Sequence, residues 1–155
     1  MKKMKVKEYT VAIGADHRGY ELKEYFENQT MIGGCNLRWL DVGVWSEKRA
    51  DYPEYAIAVA KAMRAGKAQF GALMCGTGVG MAIAANRFPG IYAALVWNVE
   101  IARLSREDDN ANILVFPADF ITKKEGLGML EAFFATEFKS GRYAARIQMI
   151  DNIKL

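Results

Sequence analysis

Five apolar runs of strand length alternate with stretches of helical spacing along this chain, and that alternation narrows the fold more than any other feature. The runs are residues 9–14 (YTVAIG), 37–43 (LRWLDVG), 71–74 (GALM, leading into Cys75), 91–97 (IYAALVW) and 112–116 (NILVF). Residues 20–28 follow the first run with helical spacing, and Leu22, Tyr25 and Phe26 form their expected inner face. Gly33 and Gly34 break the pattern before the second run, and residues 45–53 read as a polar loop after it. Residues 54–65 are an amphipathic helix ending at Gly66, and residues 98–108 a helix that Asn98 is placed to cap. Beyond residue 116 the chain is helical, with a break at Ser140-Gly141. Strand–helix alternation at this spacing predicts an α/β fold with a parallel five-stranded sheet, helices on both faces and right-handed crossovers. No linker, repeat or low-complexity segment divides the 155 residues, so residues 1–155 are expected to form one domain.

In such sheets ligands bind beyond the carboxyl ends of the strands. Asp16, His17, Cys75, Thr77, Asp108 and Asp109 all fall in loops or helix ends that could face that edge. The most specific stretch is FGALMCGTGVGMAIAAN, residues 70–86. It reads as buried strand, glycine turn and Ala-rich helix. Such a turn aims backbone N–H groups and the positive end of a helix at one point, which suits a phosphate, a carboxylate or a developing oxyanion. Cys75 stands at its edge, where a thiol is expected to ionise more easily than a free one. The glycines do not fit the dinucleotide fingerprint, which would need glycine at Met81, nor the P-loop, since no Lys-Ser or Lys-Thr follows. On the turn alone, a tight connection and a buried small cysteine explain the pattern as well as a site does. Met63, Met74 and Met81 read as core filler.

A net charge of +3 with no basic run argues against nucleic acid, and no apolar run reaches transmembrane length. Cys35 and Cys75 lack metal-ligand or redox spacing, and His17 is the one histidine, so no His-based metal cluster is available. With no signal core after MKKMKVKEYT, both cysteines are expected as reduced thiols in a cytoplasm.

GADHRGYELK, DVGVWSEKRADYP, CGTGVGMAIAAN, ARLSRE with the later Asn112, and GRYAAR near the end resemble, in order and over nearly the whole chain, the ribose-5-phosphate isomerase B family. That family includes the galactose-6-phosphate isomerase subunits. The resemblance implies a Rossmann-like three-layer sandwich, a homodimer or dimer of dimers, and no metal or organic cofactor. It implies aldose–ketose isomerisation of a sugar phosphate through an enediolate. By resemblance Cys75 is the base, Thr77 handles the proton at a substrate oxygen, and the N–H groups of Gly76, Gly78, Val79 and Gly80 hold the enediolate. Asp16 and His17 would contact sugar hydroxyls or assist ring opening, and Tyr52 and Asn86 would line the pocket. Arg142 and Arg146 stand at i, i+4 and share a helix face, a spacing that permits two guanidinium groups on one phosphate. The spacing alone equally fits a solvated face; the resemblance favours the phosphate, with the tail (about residues 138–155) reaching a neighbouring subunit.

Three places depart from the family pattern. Asp108 and Asp109 stand where the family has His-Asn, and that histidine is linked to ring opening. Pro117, Ala118 and Asp119 replace Gly-x-Arg, and Tyr143 replaces histidine in Gly-Arg-His. If Asp119 lies where the family's phosphate-binding arginine lies, it removes a charge-assisted contact and repels a phosphate, and Asp108 in place of histidine is a poor acid near neutral pH. Together these predict slower use of cyclic ribose 5-phosphate and better tolerance of unphosphorylated sugars. The alternative is that Asp119 faces solvent and Arg18 or Arg87 fills the gap. Besides the isomerase, two other readings stand. One is a divergent paralogue on another sugar, or a weakly active structural subunit of a hetero-oligomer. The other is a nucleotide-binding module, against which the failed fingerprints count.

Overall fold

The computed structural model describes residues 2–155. Its elements are β1 (Lys7–Ala15), α1 (Tyr20–Glu27), β2 (Met31–Ile32), β3 (Cys35–Asp41), α2 (Tyr52–Arg64), β4 (Phe70–Cys75), α3 (Val79–Ala85), β5 (Ala93–Leu95), α4 (Val99–Asp109), β6 (Ile113–Pro117), α5 (Lys123–Phe134) and α6 (Arg142–Asp151). One sheet runs in the order β2-β3-β1-β4-β6-β5. The five expected strands are parallel to their neighbours. The sixth, β2, corrects the expectation of a purely parallel five-stranded sheet. It is two residues long and pairs antiparallel with β3, placing Met31 opposite Asn36 across the Gly33-Gly34 turn. A strand so short has no periodicity to read, which is why only its glycines showed.

Side chains of the central strands alternate between two cores. Val11, Ile13, Ala72, Met74, Leu114 and Phe116 pack under α1, α4 and α5. Ala12, Leu73, Cys75, Ile113 and Val115 pack under α2 and α3. The strands are apolar on both faces because both faces are covered. Phe26 of α1 meets Phe116 edge-on, ring centres 5.0 Å apart, and both are fully buried. Full burial of such a side chain contributes about 1.5–3 kcal/mol. Asn98 caps α4 as expected, accepting the Ile101 N–H at 2.8 Å. The α2 helix begins at Tyr52, with Pro53 in its first turn, so the polar loop ends at Asp51.

In α1 the buried residues are Leu22, Lys23 and Phe26; the expected Tyr25 is only half-buried. Lys23 is fully buried because its ammonium reaches Asp41 at 2.7 Å, Glu24 at 3.2 Å and Glu27 at 3.4 Å. No helix among the described residues is long and apolar enough to cross a membrane.

Candidate active site

From β1 the chain crosses to β3 on one side, and β4 then pairs on the other side of β1. The strand order therefore reverses at the carboxyl ends of β1 and β4, where ligands of such sheets bind. Ala15 and Met74 are register partners there, so Asp16 and Cys75 leave adjacent strands side by side. The Asp16 carboxylate accepts the Arg18 N–H at 2.9 Å and the Gly19 N–H at 3.1 Å, which fixes the Asp-His-Arg-Gly turn. His17 Nδ1 accepts the Ala50 N–H at 3.3 Å, leaving Nε2 as the proton-bearing nitrogen of the neutral ring.

Cys75 is buried, and the Gly78 N–H points at its sulfur at 3.2 Å. Gly78 has φ +76°, a conformation that a side chain would strain, and it is what turns the backbone back toward Cys75. Burial pushes the Cys75 thiol up; the N–H groups of Met81, Gly78 and Thr77 pull the other way, and the Asp16 charge adds to the rise. The net direction is up, which corrects the expectation of an easily ionised thiol: desolvation outweighs the donors of the turn. Thr77 is exposed and its hydroxyl accepts the Val79 N–H at 3.3 Å. Three of the five turn donors are thus engaged within the turn, Thr77 and Gly78 by Cys75 and Val79 by the Thr77 hydroxyl. The Tyr52 ring covers Gly80, where an added Cβ would lie 2.5 Å from the ring. Asp16, His17, Tyr52 and residues 75–80 therefore stand at one edge of the sheet.

Other expected residues lie elsewhere. The α4 helix runs back from the end of β5 to the start of β6, about 16 Å for 11 residues. Asp108 and Asp109 consequently fall at the amino edge of the sheet, opposite Cys75 within one chain. Asn86 is also there: it exchanges hydrogen bonds with the Ala93 backbone at 2.8 and 2.9 Å, clamping α3 to β5. Asn86, Asp109 and Ile147 line a common cavity of about 420 Å³. Arg142, Arg146 and Lys139 converge on the Tyr143 ring, 5.2, 5.4 and 5.1 Å from its centre. Asp108 sits beside them, with one buried carboxylate oxygen 4.0 Å from the Lys139 ammonium and no hydrogen-bond donor. Among the described residues neither Arg142 nor Arg146 makes an ion pair.

Nothing in the sequence signals one further feature of the carboxyl edge. The Asp119 backbone N–H donates to the Gly76 carbonyl at 3.0 Å, and its carboxylate forms an ion pair with Arg18. Its side chain is only 31% exposed, so Asp119 is neither a bare carboxylate nor free in solvent.

The model of the ribose/galactose isomerase family matches residues 11–150. The chain belongs to that family. It is 35% identical to ribose-5-phosphate isomerase B of Escherichia coli over 144 residues, 93% of this chain and 95% of the relative. Its fold superposes on the isomerase B structure of Thermotoga maritima with a TM-score of 0.87 at 42% identity, covering 94% of this chain and 99% of that one. The Mycoplasma genitalium enzyme, solved with bound ribulose 5-phosphate, gives 0.84 at 34% identity over 95% and 96%. The reaction class of the family is aldose–ketose isomerisation.

Proposed function

We propose that the chain interconverts ribose 5-phosphate and ribulose 5-phosphate, or a closely related sugar phosphate, with Cys75 as the base. The observation that carries this is a buried thiol at the strand switch point, facing the Gly78 N–H and flanked by Asp16. Moving a carbonyl between C1 and C2 requires removing a carbon-bound proton and holding the enediolate that forms. Cys75 takes the proton from C2 of the aldose. Thr77, exposed one residue beyond Gly76, relays a proton at the substrate oxygen. The N–H groups of Gly76 and Gly80 stabilise the enediolate, while those of Thr77, Gly78 and Val79 hold Cys75 and the Thr77 hydroxyl. Asp16 and the Nε2–H of His17 engage the sugar hydroxyls, and Tyr52 forms the wall over Gly80.

The amino-edge group serves a second copy of the chain. In a homodimer, or a dimer of dimers, Arg142 and Arg146 of one protomer would grip the phosphate bound at its partner's Cys75. Asp108 would assist ring opening there and Asp109 would contact the sugar. Two exposed arginines without carboxylate partners suit that role. The free thiols Cys35 and Cys75 suit a reducing cytoplasm. The test is to incubate the purified protein with ribose 5-phosphate and with free ribose. Ribulose 5-phosphate is the product expected; failure to convert any phosphorylated aldose in a panel would contradict the proposal.

A further inference from the structure

We infer that Arg18 is the residue with which this chain grips the phosphate end of its own substrate, and that Asp119 is the positioning residue that aims it. The inference rests on the sugar-phosphate reading above. The guanidinium lies on the backbone of the glycine turn: a Cβ added at Gly76 would stand 2.8 Å from both Nε and Cζ of Arg18, and 2.8 Å from Asp119 Oδ2. Both residues are rooted at the site. Arg18 donates its N–H to Asp16, and Asp119 donates its own to Gly76.

The pair is asymmetric in exposure. The Arg18 side chain is 56% exposed against 31% for Asp119, so the fork faces outward while its anchor lies behind it. A guanidinium carries five N–H donors and one carboxylate engages at most two of them in parallel, leaving donors for a second oxyanion. Planar, bidentate geometry fits phosphate, and the charge persists at any working pH. The Asp119 charge is already matched by Arg18, so it does not repel a phosphate as an isolated carboxylate would. It holds a long, rotamer-rich side chain over Gly76 instead.

The experiment compares wild type, Arg18→Met and Arg18→Lys on ribose 5-phosphate and free ribose, and separately measures the Tm shift produced by inorganic phosphate. Arg18→Met should raise KM for ribose 5-phosphate about ten- to a hundredfold with kcat little changed. Its kinetics on free ribose should not move, and Arg18→Lys should recover part of the loss. Phosphate should raise the Tm of wild type more than that of Arg18→Met. The charge-swapped pair Arg18→Asp with Asp119→Arg should regain binding that Arg18→Asp alone loses. Equal phosphate shifts in wild type and Arg18→Met, or equal losses of kcat on both sugars, would overturn the assignment. A swap that restores Tm but not KM would overturn the role of Asp119. A wild-type chain that needs Arg18 to respond to phosphate yet converts no ribose 5-phosphate would support the assignment while contradicting the functional proposal.

Discussion

At the scale of single residues, the proposed chemistry turns on how Cys75 keeps or loses its proton. Burial and the nearby Asp16 carboxylate hold the thiol up against three backbone donors. Alkylation of Cys75 by iodoacetamide should therefore follow an apparent pKa above the ordinary thiol value of about 8.5. Asp16→Asn keeps the acceptor for Arg18 and Gly19 but removes the charge, and should shift the profile to lower pH. A wild-type profile centred below the ordinary value would mean that the turn donors outweigh burial. The place of Cys75 was legible because strand, cysteine and glycine turn are contiguous in the chain. Its ionisation was not, because desolvation comes from α2 and α3 packing over it. Arg18 and Asp119 stood in plain view as residue types, but their pairing exists only once β1 and β6 flank β4.

Among the elements, α1 shows most clearly where periodicity stops. Its spacing placed Tyr25 inward, yet Lys23 is the buried residue, since three carboxylates from α1 and β3 surround its ammonium. Burial would lower the Lys23 pKa and is the largest single influence, but Asp41, Glu27 and Glu24 together outweigh it and the net direction is up. Asp41 also accepts the Gly43 N–H at 2.8 Å, and Gly43 pairs with Ala15 just before Asp16, so the cluster braces the site's first loop. Burial, and then the adjacent Asp41, raise Glu27 to about 7 against the pull of Lys23. The folded chain thus binds a proton on Glu27 that the unfolded chain releases near the ordinary value of 4.5. That contribution to stability is complete below about 4.5 and is lost as pH rises through about 7. Melting temperatures measured by circular dichroism from about pH 5 to 8 should show the loss, and Glu27→Gln should flatten it and exceed wild type at about pH 8. An unchanged slope in Glu27→Gln would assign the pH dependence to other groups.

For the whole molecule, the fold divides the candidate residues between two edges of one sheet. Asp16, His17, Tyr52 and residues 75–80 lie at the carboxyl edge; Asp108, Asp109, Arg142 and Arg146 lie at the other. The alternation of strands and helices made the sheet legible, but the turnaround of α4 that separates these groups emerges only from its topology. A composite site between copies predicts that folded Cys75→Ala and Arg142→Ala proteins, each weak alone, regain activity when mixed and allowed to exchange subunits. Exchange without recovery would leave each chain to work with its own residues.

In the proposed mechanism Cys75 moves the substrate's carbon-bound proton, and solvent exchange reads that step directly. In D₂O, wild type should place deuterium on the reacting carbon of ribose 5-phosphate. Folded Cys75→Ala should do so about 10²–10⁴-fold more slowly, the usual consequence of losing a general base. Exchange by Cys75→Ala at the wild-type rate would exclude Cys75 as the base.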